Sequence, residues 1–266
     1  MNKFYLILSA TIVLMISCNN NKNKMTIKTE NVSYLDDSVE LNGFVAFDST
    51  ISSKLPIVLI IHEWWGMNDY VKRRAKQLAQ LGYLAMAIDM YGNGLNASSV
   101  EEAAKLSAPF YRDNQMARER FDAALEKIKT YSQADTTKIA AIGYCFGGSM
   151  VLNLAKMGET FKGVVSFHGG LAGVPANKEL LLAKILVCHG ADDQFVTSDE
   201  VHHFKKEMDS VHADYLFKEY KGATHAFSNP DATEWGKKFN IPIAYNAAAD
   251  SASWDEMKVF LERVFK

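Results

Sequence analysis

The chain predicts an α/β fold, a mostly parallel sheet with helices on both faces. Short, uninterrupted aliphatic runs recur along it, and stretches with helical apolar spacing separate them. Strands buried on both faces read as continuous apolar runs, so the alternation specifies a covered parallel sheet. The length of 266 residues, 48% hydrophobic content and net charge of -2 suit one large domain with a substantial core. Nothing in that near-neutral balance points to a nucleic-acid partner.

The first segment differs from the rest. Lys3 precedes an apolar run from Phe4 to Ile16, followed by Ser17-Cys18 and the polar stretch Asn19 to Lys24. This is the layout of a secretory signal, too short for a comfortable membrane span. A cysteine directly after an apolar run and a small serine resembles the lipobox of bacterial lipoproteins, with Met15 where leucine is usual. The resemblance implies that residues 1–17 are a signal peptide, that Cys18 is lipidated, and that residues 18–30 form a flexible tether. The protein would then be exported and anchored to a bacterial membrane, facing the periplasm or exterior, with residues 31–266 as the folded domain.

Within that domain, Val39-Glu40-Leu41 and Phe44-Val45-Ala46-Phe47 flank Asn42-Gly43 and predict a hairpin or edge pair. Ile57 to Ile61 is a buried strand, Tyr70 to Leu81 a helix, and Tyr83 to Ile88 a second strand. The alternation continues with a helix from Arg112 to Thr130, a strand from Lys138 to Ile142, a helix from Gly148 to Lys156 and a strand from Gly163 to Phe167. Lys184 to Cys188, Ser198 to Val211, Asp214 to Tyr220 and Ala247 to Val264 then read as strand, helix, strand and terminal helix. In such sheets, chemistry collects in the loops beyond the carboxyl ends of the strands.

Gly143-Tyr144-Cys145-Phe146-Gly147-Gly148 sits at one of these ends. A reactive residue on a tight strand-to-helix turn needs small neighbours where backbones approach, which the glycines supply. A thiol there meets the positive end of the helix dipole, which favours thiolate. Cys145 is therefore the candidate nucleophile; the competing reading is a buried structural cysteine. With Cys18 assigned to lipid, Cys145 and Cys188 give no disulfide framework, and Cys188 in an apolar run reads as a small core residue.

A cysteine nucleophile needs a base oriented by a carboxylate. His202, His203 and His212 fall in polar helical sequence and read as solvated. His62, His168 and His189 each follow a strand run. His225 lies in the loop Lys221 to Phe227 after the last strand, and fits the order nucleophile, acid, histidine. The acid falls in Gly190-Ala191-Asp192-Asp193-Gln194-Phe195-Val196. The G-x-x-D-x-x-V spacing favours Asp193, with Asp192 as the alternative. Either aspartate could instead cap the next helix, although Thr197 and Ser198 are better placed for that. A metal site built from His62, His168, His189 and Glu63 is a rival reading, but no tight ligand spacing supports it, and no metal or cofactor is expected.

Gly143 to Gly148, Asp193 to Val196, His225-Ala226-Phe227 and Ile61-His62-Glu63-Trp64-Trp65-Gly66, in that joint arrangement, resemble the dienelactone hydrolase family of the α/β-hydrolase fold. The resemblance runs from about Leu41 to the C-terminus, and includes Asp89 to Gly92 and Tyr245 to Ala249. It implies that Cys145 attacks an ester or lactone carbonyl, that His225 manages protons while Asp193 orients it, and that water releases the acyl enzyme. It gives Glu63 the role of pairing with the resting thiol, and Trp64 that of supplying one oxyanion N–H. Elbow geometry assigns the other to Phe146. Family members that take dienelactone hold its carboxylate with arginines, one a few residues after the histidine. This chain has Ser228-Asn229-Pro230 there, no match near Val100 to Lys105, and only Arg112 as a substitute. Trp64, Trp65, Tyr91, Phe227 and Trp235 instead suggest an apolar or aromatic small-molecule substrate. The non-enzymatic alternative is a lipoprotein that binds a ligand or partner on a silent hydrolase scaffold.

Overall fold

The computed structural model describes residues 25–266 together with Met1. The signal segment, Cys18 and the tether up to Lys24 lie outside the described residues. An eight-stranded sheet is formed by β1 (Ile27–Asp36), β2 (Val39–Asp48), β3 (Leu55–Ile61), β4 (Leu84–Ile88), β5 (Ala134–Tyr144), β6 (Gly163–Phe167), β7 (Lys184–Gly190) and β8 (Tyr215–Tyr220). Their spatial order is β1-β2-β4-β3-β5-β6-β7-β8. The first two pairings, β1 with β2 and β2 with β4, are antiparallel, and the rest are parallel.

The aliphatic runs serve both faces, because successive side chains of a strand point oppositely. Ile57, Leu59 and Ile61 of β3 enter one core cluster with Phe110 of α2 (Val100–Arg112), Phe121 of α3 (Asn114–Lys129), Met150 of α4 (Phe146–Lys156) and Phe204 of α5 (Ser198–Ser210). Val58 and Ile60 enter the other with Leu78 of α1 (Asp69–Gln80) and Phe260 of the terminal helix α7 (Ala247–Val264). Every residue of α4 is buried, which fixes the helix behind the elbow.

Three expectations change. The hairpin turn is at Asp37-Ser38, with Asp37 at φ 50, whereas Asn42-Gly43 lies inside β2 opposite Ser33 and Val32. Gly43 is there for close approach: a Cβ would sit 2.7 Å from Met86 Cε. Residues 27–30, expected in the tether, form the start of β1, paired with residues 45–48 of β2. The helix expected from Arg112 is divided at Asp113, whose side chain accepts the N–H groups of Gln115 and Met116 and so starts α3. Before it runs α2, and a further short helix, α6 (Ala232–Phe239), follows β8. Pro109 inside α2 and the small residues of its buried side obscured the helical period.

Arg74 of α1 ties this framework to the loop after β8. Its guanidinium is buried, donates to the Ser228 carbonyl at 2.8 Å and to the Asp250 carboxylate of α7, and lies 4.9 Å from the Trp254 ring centre. Removing one member of a buried pair leaves an uncompensated charge, which costs about 3–5 kcal/mol. Asp250→Ala is therefore expected to lower unfolding stability by about 3 kcal/mol in urea titration; a loss under about 0.5 kcal/mol would show that the pair is immaterial.

Candidate active site

Cys145 stands alone between the last residue of β5 and the first of α4, with φ 53 and ψ -117. Such a conformation costs a non-glycine residue about 1–3 kcal/mol and persists only where the surroundings over-determine it. Here the Cys145 N–H is shared between the Phe167 carbonyl (3.0 Å) and His168 Nδ1 (3.2 Å), and its carbonyl accepts the Ser149 N–H at 3.2 Å. No side chain fits at Gly143, where a Cβ would lie 1.9 Å from the Gly147 carbonyl oxygen. The glycines thus permit the crossing that pushes the thiol out over the sheet edge, half-buried rather than sealed.

Three residues far apart in the chain meet at this thiol. Cys145 Sγ is 3.1 Å from His225 Nε2, and His225 Nδ1 is 2.8 Å from Asp193 Oδ2. The second carboxylate oxygen of Asp193 accepts the Phe195 N–H at 2.8 Å, so both oxygens are held. Asp192 is exposed, and α5 is capped by Thr197, whose hydroxyl accepts the Glu200 N–H. Burial works against charge on the His225 ring, but the anionic form of Cys145 and the Asp193 carboxylate outweigh it and raise the imidazolium to about 10.

Glu63 departs from the pairing that the resemblance implies. Its Oε2 accepts the Asn229 amide at 2.7 Å, while the hydrogen-bond partner of the sulfur is His225. Burial raises the Glu63 carboxyl to about 7, partly offset by the Asn229 bond. Asn229, in the stretch where the substrate-holding arginine is missing, thus bonds the acid instead.

Phe146 N–H is among the amides that a helix start leaves without an intrahelical acceptor. Trp64, in the loop after β3, and Phe146 both line a cavity of about 380 Å³ with Glu63, Cys145 and His225. Trp65 also lines this cavity. Tyr91 and Phe227 do not: Tyr91 lies behind the wall, packed on Phe146 and donating to the Trp64 carbonyl at 2.9 Å, and Phe227 is fully buried against His168 and Tyr220. Trp235 packs on Trp65 outside the cavity, and Arg112 bonds the Ala108 carbonyl on its own helix. Aromatic residues that sequence reasoning missed, Tyr111 and Phe195, line the cavity instead. Phe195 stands next to the acid in the motif; Tyr111 carries no sequence signal, because the helical period of α2 is obscured around it.

The remaining strand-end histidines are engaged with protein. His62 and His168 each use both ring nitrogens, His62 with the Glu63 carbonyl and Met90 N–H, His168 with Cys145 N–H and Ser228 Oγ. His189 packs against Phe217. Among the described residues, no group of three or more His, Cys, Asp or Glu is arranged to hold a metal ion.

A doubly covered parallel sheet with an elbow between its fifth strand and the following helix defines an α/β hydrolase. Residues 41–265 match the model of the dienelactone hydrolase family, and the chain belongs to that family and is a hydrolase. It is 29% identical over 203 residues, 74% of its own length and 86% of the relative's, to an Aquifex aeolicus protein named "Putative carboxymethylenebutenolidase". A Bradyrhizobium protein named "Probable 2-oxo-3-(5-oxofuran-2-ylidene)propanoate lactonase" is 23% identical over 221 residues, 79% of this chain and 85% of that one. Among solved structures, a dienelactone hydrolase-like promiscuous phosphotriesterase from metagenomic libraries superposes with a TM-score of 0.83 at 32% identity, covering 90% of this chain and 99% of that one.

With the Cys145 and Asp193 charges raising the His225 pKa to about 10, the ring is expected to stay protonated up to about that pH. NMR titration of the ring is expected to show that midpoint, and Cys145→Ala is expected to move it well down, since burial then lacks its main opponent. A midpoint unaffected by the substitution would dissociate the two groups.

Proposed function

We propose that this protein is a thiol-dependent hydrolase of uncharged carboxylic esters or lactones, working through a Cys145-His225-Asp193 triad and an acyl enzyme. The observation that carries the reading is the continuous line from Cys145 Sγ through both nitrogens of His225 to Asp193, at 3.1 and 2.8 Å. The Cys145 thiolate attacks the carbonyl carbon, and the oxyanion is held by the N–H groups of Phe146 and Trp64. His225 gives its Nε2 proton to the departing alkoxide, leaving a thioester. The now neutral ring takes a proton from water as that water attacks the thioester, and Cys145 leaves as thiolate. The layout of the first 18 residues supports export and a lipid anchor at Cys18, so we place this activity at the cell envelope.

Substrate charge follows from what lines the cavity. No lysine or arginine is among its lining residues, and the Ser228 hydroxyl is occupied by Tyr70 and His168. A substrate carboxylate would meet Glu63, which becomes anionic as pH rises through about 7. Trp64, Trp65, Tyr111 and Phe195 offer apolar and aromatic surface instead.

Cys145→Ala in the full-length protein is expected to lower kcat/KM on a small aryl ester by about 10⁴-fold or more without unfolding it. Turnover that survives this substitution would end the proposal. For a matched pair of aryl esters with and without a distal carboxylate, the neutral one is expected to react faster. The gap should widen from pH 6 to 8 as Glu63 loses its proton, and Glu63→Gln should flatten that dependence. A pH-independent preference would remove Glu63 as its source.

A further inference from the structure

We infer that His62 is a positioning residue for the oxyanion site, its side chain and backbone together holding the peptide groups that present the Trp64 and Phe146 N–H donors. This rests on the reading above, which assigns those donors to the oxyanion.

The geometry starts from one planar unit. The Glu63 carbonyl and the Trp64 N–H belong to the same peptide plane, so whatever grips the oxygen aims the N–H at the opposite side. His62 Nδ1 lies 2.5 Å from that oxygen, and the Gly66 N–H donates to it at 3.1 Å. A carbonyl only accepts, so Nδ1 carries the proton. Nε2 must then be the lone pair, and it accepts the Met90 N–H at 3.3 Å. Both contacts demand the same neutral tautomer, and complete burial of the ring disfavours its charged form. Donation into a carbonyl also polarises the amide, which strengthens its N–H as a donor.

The same residue reaches the other half of the site. The His62 carbonyl accepts the Gly147 N–H at 3.1 Å, one peptide beyond the Phe146 N–H. Gly147 allows this approach because a Cβ there would lie 2.3 Å from the Ile61 carbonyl oxygen. The His62 ring stacks on Phe146, with centres 5.8 Å apart and planes at 27°, and its other neighbour is Tyr91 at 4.7 Å. Tyr91 in turn holds the Trp64 carbonyl, so the loop is fixed on both sides of Trp64. One buried imidazole therefore sets the spacing between a loop after β3 and the start of α4. Such spacing matters because oxyanion donors act only when aimed at the site in advance.

The test compares three variants of the full-length protein on a small aryl ester and on iodoacetamide, which alkylates the Cys145 thiolate without forming an oxyanion. His62→Phe keeps the ring but loses both nitrogens. His62→Asn can place an N–H where Nδ1 was, whereas His62→Gln can match only Nε2. His62→Phe is expected to lose about 10- to 100-fold in kcat/KM, mainly in kcat, with alkylation within about 2-fold of wild type. His62→Asn should recover most of that loss, and His62→Gln should not. Full turnover in His62→Phe, or alkylation falling in step with turnover, would overturn the inference. Should His62→Phe fail to fold, the Asn and Gln variants decide, and equal rates in the two would overturn it. If wild-type protein turns over no ester, the underlying functional reading falls and this inference with it.

Discussion

The left-handed backbone of Cys145 sets where every other group of the site must lie. A strand that ends and a helix that begins on either side of one residue must cross almost in contact, and they do so only because Gly143 and Gly147 lack side chains. The strain of that turn is borne by a fully buried helix and a central strand, neither of which can relax without opening the core. Moving the thiol by an ångström would mean moving α4.

The polar groups beneath the elbow extend that constraint outward. His168 accepts the Cys145 N–H and contacts Ser228, the Tyr70 hydroxyl lies 2.7 Å from the same serine, and Arg74 grips the Ser228 carbonyl from α1. Burial holds His168 well below its usual value, so the ring is neutral and keeps the Nδ1 lone pair that this arrangement needs. Ser228 lies three residues after His225. The loop that carries the proposed base is thus tied through buried side chains to the turn that carries the proposed nucleophile, which explains why two residues 80 positions apart approach to 3.1 Å.

The sheet was legible because buried strands announce themselves as aliphatic runs; Gly163–Phe167 and the terminal helix Ala247–Val264 agree with expectation at both ends. The elbow and the Asp193 and His225 loops were legible because their residue types are rare in combination. What escaped notice had no such signature. Glycine in Asn42-Gly43 has a turn reading and a close-packing reading, and only the proximity of Met86 decides between them. Helix α2 hides its period behind Pro109, and Tyr111 is hidden with it. Tyr91 and Phe227 lay in the right loops, but a loop position does not reveal whether a ring faces the cavity or its supporting wall. Asn229, which captures Glu63, sits where the expected arginine is missing, and its role depends on a contact across 166 positions.

In the proposed reaction the acyl group passes through sulfur as a covalent thioester. Rapid quenching of full-length protein with an excess of a slowly deacylating aryl ester, followed by peptide mass spectrometry, would trap that intermediate. One acyl group is expected on the peptide that contains Cys145, formed and lost at rates compatible with turnover. An acyl group on another residue, or steady turnover with no adduct under conditions where release is slowed, would rule out a Cys145 thioester.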